Sequence, residues 1–338
     1  MLKKILMIII DIITAGLIIL GIWVYNYIIP HQYVYAQAPI KTQNLTADNE
    51  AESTETINYT SDDWHIKFAD KFTDTIVSTE NSYTSPNLSI QLTANSYDTN
   101  RLDTSEKGKH TKYGTSISYV LADIYIGDIS CFQTAFAQDT YGVGYSELLT
   151  DMSDKMKSVL AVNGDSYNNN RHKDSGTIIR NGLVYRTEKT NVETCVLFKD
   201  GTMKIYKPNE LDPEQLIVEG AYQSWIFGPS LLDSNGKANT KFITWDYIKE
   251  SHPRTAIGYY EPGHYCLLVV DGRQKNYSRG MFLDEMAQLF EDLGCTAAYN
   301  LDGGHCSAMT FGSDFFSQPY KPNHEIPDGI FITEGTAK

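Results

Sequence analysis

The stretch YCLLVVDGRQKNYSRGMFLDEMAQLFEDLGCTAAYNL, residues 265–301, decides the fold class. Its first six residues are an apolar run typical of a buried strand. Over 282–293, apolar residues recur at three- and four-residue steps on one helical face, and Gly294 follows as a C-terminal stop. A second strand-like run at 297–300 completes a strand–helix–strand unit.

Strand-like runs dominate the chain on either side of this unit. We expect them at 64–68, 88–92, 116–126, 159–162, 177–180, 195–198, 202–206 and 255–259, with one further helix at 148–159. Asn181-Gly182 and Asp200-Gly201 each separate two such runs, which predicts hairpins at both places. The sequence therefore predicts an α+β fold, a strand-rich mixed-sheet domain with a few packed helices.

The N-terminus indicates export. Lys3 and Lys4 precede a run at 5–29 that is almost wholly apolar apart from Asp11, long enough to cross a bilayer with the N-terminus in the cytoplasm. The alternative is a cleaved signal peptide with a site at Ala36-Gln37-Ala38, but the apolar run is longer than such peptides usually carry. We expect a single N-terminal transmembrane helix in the cell membrane and an extracytoplasmic remainder.

This prediction divides the chain into four parts. Residues 1–30 form the anchor, and residues 31–59, which are polar and poor in large apolar side chains, form a flexible stalk. Residues 60–115 form a strand-rich N-terminal extension, and residues 116–335 form the main domain.

Charge and cysteine content limit the classes of partner and cofactor. The 338 residues carry a formal net charge of −14, which disfavours nucleic acid as a partner. The five cysteines show no zinc-site spacing, and their odd number is compatible with one or two disulfides without requiring any. The sequence does not determine the oligomeric state.

Four short segments place polar side chains at the ends of apolar strands, where a rigid element can present them to a ligand. An ordinary turn or surface ion pair explains the first three segments about equally well. The fourth, which contains a double glycine, is richer in polar groups than a simple loop. The candidate residues are Asn163 and Asp165 in the first, Arg254 in the second, Asp271 and Arg273 in the third, and Asn300, Asp302, His305, Cys306 and Ser307 in the fourth.

These segments belong to a longer series of motifs. The series is N-G-D-S-Y, I-I-R-N-G-L-V-Y, F-G-P-S-L, H-P-R-T-A-I-G, V-V-D-G-R, S-R-G-M-F-L-D-E-M-A and L-G-C-T-A-A-Y-N-L-D-G-G. In order and spacing it resembles the phosphodiester glycosidase family over residues 116–331. An animal member of that family uncovers mannose phosphate by removing N-acetylglucosamine, and bacterial relatives are often linked with exopolysaccharide or cell-wall polymers.

The resemblance implies hydrolysis of a sugar-1-phosphodiester in a cell-surface glycan. The positions matching the family motifs are Asn163, Asp165, Arg180, Arg254, Asp271, Arg273, Glu285, Asn300 and Asp302. The family's usual run L-D-G-G-G-S-S is altered here, because His305 and Cys306 replace a glycine and a serine while Ser307 is kept. The shape of the pocket is therefore expected to differ from that of the family.

Chemistry suggests roles for these residues. An oxocarbenium-like transition state is usually served by two carboxylates, so we expect Asp302 to be one and Asp165 or Glu285 the other. Arg254 is expected to hold the phosphate through a bidentate contact. The remaining matched residues and Ser307 are expected to bind substrate. Glu285 has an alternative role as a helix-start cap, and the carboxylates of Asp165, Asp271, Glu285 and Asp302 are also of the type that binds Ca²⁺.

Two other functions remain open from the sequence. Cys306 would be the nucleophile of a thiol enzyme if His252 or His264 approached it, because the adjacent His305 points to the opposite face of an extended segment. The second function is that of a membrane-tethered module that binds glycan without turnover.

Overall fold

The computed structural model describes residues 2–27, 29, 31–32, 40–41, 62–103, 113–167 and 176–335. Strands outnumber helices in this part of the chain. The helices are α1 (Leu2–Tyr27), α2 (Asp62–Lys67), α3 (Leu149–Met156), α4 (Pro213–Val218), α5 (Asp246–Lys249) and α6 (Leu283–Asp292), with short 3₁₀ turns at Ile129–Cys131 and Ala137–Asp139. The strands are β1 (His31–Gln32), β2 (Ile40–Lys41), β3 (Val77–Ser78), β4 (Ser82–Thr84), β5 (Leu88–Asp98), β6 (Ser116–Ile126), β7 (Phe132–Phe136), β8 (Gly142–Val143), β9 (Leu160–Asn163), β10 (Thr177–Arg180), β11 (Leu183–Thr187), β12 (Thr194–Phe198), β13 (Met203–Tyr206), β14 (Ala221–Trp225), β15 (Arg254–Glu261), β16 (His264–Val270), β17 (Ala297–Asn300), β18 (Met309–Phe311), β19 (Asp314–Phe315) and β20 (Asp328–Ile332).

The N-terminal helix α1 is apolar and exposed. Its segment Lys3–Tyr25 is long and apolar enough to span a membrane, and none of that segment is buried against the rest of the described chain. The expected apolar helix is therefore present. Most of the predicted stalk and the Ala36-Gln37-Ala38 segment lie outside the described residues; β1 and β2, within the stalk, pair with β8 and β11.

Two sheets build most of the domain. The larger has seven strands in the order β17-β15-β16-β6-β5-β4-β3, and the second has five in the order β19-β18-β9-β20-β7. Smaller sheets are β13-β12-β14, β10-β11-β2 and β1-β8. The helices and these sheets together confirm the expected α+β class. In every described pair the hydrogen-bonded strands are antiparallel. Neighbouring strands therefore do not mix parallel and antiparallel pairing.

The strand–helix–strand unit predicted over residues 265–301 is present. Strands β16 and β17 flank β15, and because both are antiparallel to it they run parallel to each other, joined by α6. The predicted helix face is buried, with Leu283, Met286, Ala287 and Phe290 packed over Leu268 and its neighbours in the sheet. Gly294, at φ 79°, follows the helix as expected.

One predicted strand is wrong. Residues 64–68 alternate apolar and polar side chains, yet the structure places most of them in α2. Trp64 and Phe68 are four residues apart, so a helix buries both on one face, whereas Ile66 stays 78% exposed. A five-residue run fits both the two-residue period of a strand and the 3.6-residue period of a helix. Packing of Trp64 and Phe68 onto the large hydrophobic core selects the helix. Both predicted hairpins are present, as β10–β11 and β12–β13.

Gly258 allows the tightest packing between the large sheet and α6. A Cβ at this position would lie 2.6 Å from the Cys266 Sγ, 2.7 Å from the Phe290 Cε1 and 2.9 Å from the Cys295 Sγ. Because the surrounding core is filled, we expect Gly258→Ala to lower the free energy of unfolding by about 1–3 kcal/mol. Urea denaturation of the full chain measures this change.

The matched control is Thr93→Ala at an exposed position of β5, which should change stability by less than about 0.5 kcal/mol. Equal stability of the two variants would mean that the core around Gly258 accepts a methyl group, which the distances in the structure exclude. The two sulfurs at this contact are 3.8 Å apart, and the structure contains no disulfide between any of the five cysteines.

Candidate active site

The ends of three strands meet at one place between the two large sheets. Asp302, just after β17, donates its backbone N–H to the carbonyl oxygen of Gly164, just after β9, at 3.1 Å. The Asn163 Nδ2 donates to the Asp302 carbonyl oxygen at 2.7 Å. Gly304 donates its N–H to the carbonyl oxygen of Pro253, just before β15, at 2.9 Å. Three segments that are far apart in sequence are thereby fixed side by side.

Asn163 is the link between these segments. Its Oδ1 accepts the hydroxyl of Thr255 at 2.6 Å and the N–H of Ala308 at 3.3 Å, in addition to the bond that its Nδ2 makes to Asp302. A fully buried amide that uses both of its polar atoms on protein groups positions the site. The structure therefore gives Asn163 a positioning role in place of the predicted contact with substrate.

Asp165 is buried and only half satisfied. Its Oδ2 accepts the N–H of Ile226 at 2.6 Å, whereas its Oδ1 has no hydrogen-bond partner. Burial raises the pKa of Asp165 because the charged form loses its hydration; Arg180 opposes the rise, and the charge of Asp302 adds to it. The arrangement favours a protonated carboxyl group.

Asp302 is in a different environment, because it is half-exposed and its Oδ1 accepts the N–H of Gly303 at 2.8 Å. Gly303 and Gly304 lie where a larger residue would clash or strain the backbone. A Cβ at Gly303 would lie 2.9 Å from the Pro253 carbonyl oxygen, and Gly304 adopts φ 69°. The two glycines let the loop lie directly against the start of β15.

Unpartnered polar atoms concentrate at this junction. Among the described residues, five buried side-chain nitrogen or oxygen atoms lack a hydrogen-bond partner, and three belong to predicted site residues: the Asp165 Oδ1, the Asn300 Oδ1 and the Ser307 Oγ. Buried polar atoms are almost always paired in folded proteins, so a cluster of exceptions indicates a place where a water or ligand supplies the partner.

Asn300 and Asp165 are anchored to the same short segment after β14. The Asn300 Nδ2 donates to the carbonyl oxygen of Gly228 at 2.7 Å, two residues beyond the N–H of Ile226 that Asp165 accepts. Ser307 precedes Ala308, whose N–H is bound by Asn163. These bonds hold the three residues that carry the unpartnered atoms on segments adjoining the contact between Gly164 and Asp302, and the Ser307 Oγ lies 3.7 Å from where a Cβ of Gly303 would be.

The guanidinium of Arg180 is buried and bound to protein groups. Its side chain is 2% exposed and its Nη2 and Nε donate to the Asp328 Oδ2 at 2.5 and 3.2 Å. Its Nη1 donates to the main-chain oxygens of Ile179 and Ser224. The Asp328 Oδ1 in turn accepts the N–H of Asp165 at 2.7 Å. Arg180 therefore supports the Asp165 turn through Asp328.

The predicted bidentate phosphate clamp at Arg254 is not available in this structure. Its Nε donates to the carbonyl oxygen of Met281 at 3.0 Å, and its Nη2 donates to those of Ile248 and Glu250. The backbone of Arg254 adjoins the double glycine, but its guanidinium is directed toward α5 and the start of α6. Burial lowers its pKa to about 9, with a further contribution from Arg273.

Arg273 is the guanidinium that lies on the Asp302 loop. A Cβ at Gly304 would be 3.3 Å from the Arg273 Nη1. The Arg273 Nη2 lies 3.2 Å from the Nδ1 of His252, whose Nε2 lies 2.7 Å from the Tyr247 carbonyl oxygen. Burial and the charge of Arg254 lower the pKa of His252 to about 4. The neutral ring thus donates from Nε2 and accepts from Arg273 at Nδ1, which holds the guanidinium in place.

Two carboxylates predicted for the site have structural partners instead. The Asp271 Oδ2 accepts the Tyr277 hydroxyl at 2.7 Å and its Oδ1 accepts the N–H of Gln318 at 3.0 Å. Glu285 pairs through both oxygens with Arg279, at 2.6 and 3.0 Å, and also accepts the N–H of Phe282 at the start of α6. The alternative interpretation of Glu285 as a helix-start cap therefore describes its contacts.

The expected Ca²⁺ ligand set does not assemble. Asp165, Asp271, Glu285 and Asp302 are held by the different partners described above. Among the residues that the structure describes, no group of three or more His, Cys, Asp or Glu side chains could hold a metal ion.

The contacts of Glu285 lead to a testable difference. Glu285→Gln leaves the buried Arg279 without its counter-charge, so we expect a loss of about 1–3 kcal/mol in the free energy of unfolding. Catalytic efficiency should fall by less than about tenfold, because no contact of Glu285 reaches Asp302 or Asp165. Denaturation and steady-state kinetics on the same preparation measure both.

The control is Asp284→Asn on the same turn of α6, where the carboxylate is exposed and pairs with Arg101. It should change stability by less than about 0.5 kcal/mol. A loss of activity of about a thousandfold in Glu285→Gln at unchanged stability would restore Glu285 to the catalytic pair.

Sequence reasoning missed two residues that organise the site, Asp328 and Arg279, and considered His252 only as a partner of Cys306. Asp328 stands at the start of an apolar strand and precedes a glycine, the same signal that singled out the other segments. The contact between His252 and Arg273 was not predicted. Arg279 lay inside the motif that supplied Glu285, and sequence alone carries no sign that these two side chains pair.

The arrangement expected for a thiol enzyme is not formed. The His305 ring stacks on Tyr320, whereas Cys306 packs against the small core cluster that includes Leu149 and Phe331. His252 is held by Tyr247 and Arg273, as described above. His264 stacks between Tyr125 and Tyr260 and bonds to Asp123 at 2.7 Å, at the end of β16 remote from Asp271.

Comparison with known proteins agrees with the fold. The family model for phosphodiester glycosidases matches residues 156–333, more than half of the chain, so this chain belongs to the phosphodiester glycosidase family. A curated relative, the SPbeta prophage-derived uncharacterized protein YomE of Bacillus subtilis (strain 168), is 34% identical over 194 residues. The match covers 56% of this chain and spans only 29% of that relative's length.

Two solved structures are similar to this chain to different degrees. The catalytic domain of zebrafish N-acetylglucosamine-1-phosphodiester alpha-N-acetylglucosaminidase, auto-inhibited by its pro-peptide, superposes with a TM-score of 0.52 at 21% identity, covering 74% of this chain and 89% of that one. A hypothetical protein from Synechocystis gives a TM-score of 0.49 at 11% identity, covering 73% and 62% of the two chains. The zebrafish structure supports the fold assignment.

Proposed function

We propose that this protein hydrolyses sugar-1-phosphodiester linkages, releasing the sugar and leaving a phosphomonoester on the other product. The single observation that carries the proposal is the cluster of unpartnered buried polar atoms around two carboxyl groups, Asp165 and Asp302, in different environments. Membership of the phosphodiester glycosidase family supports it. The zebrafish protein with a similar fold is named for cleaving an N-acetylglucosamine-1-phosphodiester.

The two carboxyl groups divide the proton chemistry. Asp165, whose pKa is raised by burial, is the general acid, and its Oδ1 gives a proton to the departing phosphate oxygen, directly or through one water. Asp302, half-exposed and bound by an amide N–H, is the carboxylate that assists the incoming water. The bond between sugar C1 and the phosphate oxygen breaks, and the water oxygen becomes the new sugar hydroxyl.

Arg273 is the group that receives the phosphate. It lies against Gly304, and it makes no salt bridge with a carboxylate in the described part of the chain. Arg254, the earlier candidate, is committed to main-chain carbonyl oxygens. Its buried charge adds to the positive potential around Arg273.

The protein acts outside the cytoplasm, anchored by α1. The segment Lys3–Tyr25 has the length and composition of a membrane span, and the two lysines at its start favour a cytoplasmic N-terminus. A substrate in cell-surface glycan or exopolysaccharide is consistent with this placement. No step of the proposed reaction requires a metal ion.

The test is direct. Detergent-solubilised full-length protein is incubated with N-acetylglucosamine-1-phosphate methyl ester, and release of reducing sugar is followed. We expect turnover in the wild type and in Cys306→Ser. Turnover abolished by Cys306→Ser would favour a thiol enzyme, and saturable binding without turnover in the wild type would favour a glycan-binding module.

A further inference from the structure

A group of basic and aromatic side chains borders the Asp302 loop; we call it the rim cluster, and it consists of Arg273, His305, Tyr320, Lys321 and His324. The His305 ring lies 5.4 Å from the Tyr320 ring, nearly parallel to it, and 5.4 Å from the His324 ring. The Arg273 Cζ lies 5.9 Å from the Tyr320 ring centre. Tyr320 thus connects His305 to the guanidinium that rests on Gly304.

The rim cluster concentrates positive charge in an acidic protein. Arg273 lies against Gly304, His305 follows Gly304 in the chain and His324 lies beside His305, although the chain as a whole has a net charge of −14. The described salt bridges include none from Arg273, Lys321, His305 or His324 to a carboxylate. Glu325, next to His324, accepts the hydroxyl of Ser146 instead. A cationic group without a counter-ion is suited to bind an anion.

The backbone conformation of Arg273 also supports a role in binding an anion. Arg273 adopts φ 58°, a left-handed conformation that costs a non-glycine residue free energy. This conformation directs the guanidinium onto Gly304, where a side chain at that position would meet it. An arginine placed in this way, with His252 fixing one end of its fork, is prepared for a tetrahedral oxyanion.

We propose that the rim cluster is a phosphate-binding subsite in which His305 takes up a proton when the anion binds. The proposal rests on the proposed function for the identity of the ligand, the phosphate of the substrate and of the phosphomonoester product. His305 stands where the family motif has glycine, so this proton-linked subsite is a property of this chain. For an anion of constant charge, binding is consequently stronger as the pH falls.

The direction of the pH dependence follows from the charges around the rings. Burial and the neighbouring Arg273, Lys321 and His324 side chains lower the pKa of His305, so without an anion the ring is neutral at neutral pH. The Tyr320 ring stacks on His305, and Asp302 lies three residues before His305 in the chain. A bound dianion stabilises the protonated ring of His305, and by reciprocity protonation stabilises the bound dianion.

The experiment measures sulfate binding to the full-length protein by calorimetry at about pH 5.5 and about pH 8, because sulfate keeps its charge across this range. We expect the wild type to bind about tenfold more tightly at the lower pH, as a shift of about one pKa unit on one ring requires. In His305→Gly the ratio should fall to about threefold or less. His65→Gln, a histidine that bonds to Asn87 at 3.1 Å near the start of β5, is the matched control and should keep the wild-type ratio.

Inorganic phosphate, tested as an inhibitor of sugar release at about pH 7, provides the second readout. We expect weaker inhibition in His305→Gly and unchanged inhibition in His65→Gln. Wild-type sulfate affinity and pH ratio in His305→Gly would overturn the proposal. If the protein binds sulfate as expected but releases no sugar, the subsite stands and the hydrolase fails; if it releases sugar without proton-linked sulfate binding, the subsite fails and the hydrolase stands.

Discussion

Asp302→Asn is expected to lower kcat/KM for a sugar-1-phosphodiester by about a thousandfold or more while leaving the fold intact. The asparagine side chain is nearly the same size, and its Oδ1 can still accept the N–H of Gly303. The backbone bonds that tie residue 302 to Gly164 and Asn163 are unaffected by the change. What is lost is the negative charge that assists the incoming water and the developing oxocarbenium ion.

The paired variant Asp165→Asn should lose less, about a hundredfold, because a phosphate is already a good leaving group and depends less on a proton. Its loss should shrink further with a more acidic leaving group, whereas the loss in Asp302→Asn should not. Steady-state kinetics with two phosphodiesters of different acidity measure the difference. Residual activity within tenfold of wild type in a correctly folded Asp302→Asn protein would remove Asp302 from the reaction.

Arg180→Met is expected to cause the largest loss of stability, about 3–5 kcal/mol in the free energy of unfolding near pH 8. Removing the guanidinium leaves Asp328, which is 1% exposed, without its counter-charge and leaves Asp165 without the cation that opposes its raised pKa. Methionine fills much of the same volume, so lost packing contributes little.

The loss should depend on pH with a defined sign. Burial raises the pKa of Asp328, and Arg180 opposes that rise, so the variant's folded-state pKa lies further above the unfolded value. A carboxyl group whose pKa is raised by folding destabilises the protein as the pH increases from the unfolded pKa through the folded one. Arg180→Met should therefore recover part of its stability when the pH is lowered from about 8 to about 5.

A double-mutant cycle provides the control. Arg180→Met combined with Asp328→Asn should be less destabilised than the sum of the two single variants, because neither charge is then left alone in the core. Denaturation at both pH values measures every corner of the cycle. Additive losses without pH dependence would mean that the pair is not coupled as the structure shows.

The regular elements of the domain were predictable because their patterns are local. Residues 282–293 carry a helical face and a terminal glycine, and β6 carries a long alternating pattern, so periodicity sufficed for both. Trp64 and Phe68 show the limit, since five residues fit either period and the choice was made by the core they join.

The candidate site was predictable as a set of segments but not as a set of roles. The motifs identified Asn163, Asp165, Asn300 and Asp302, which the structure brings together. Whether a guanidinium faces ligand or protein depends on long-range pairing, and the sequence does not state that Arg180 meets Asp328 across 148 residues. For the same reason the sequence did not show that the Arg254 guanidinium binds main-chain carbonyl oxygens, which is why we propose Arg273 for the phosphate.

The central claim is that the site around Asp165 and Asp302 breaks the bond between the sugar C1 and the phosphate oxygen. Hydrolysis of N-acetylglucosamine-1-phosphate methyl ester in ¹⁸O-labelled water tests it, with the methyl phosphate product examined by ³¹P NMR. We expect methyl phosphate without label, because water attacks the sugar carbon. Label in the methyl phosphate would show that water attacks phosphorus and that the bond to the sugar C1 stays intact.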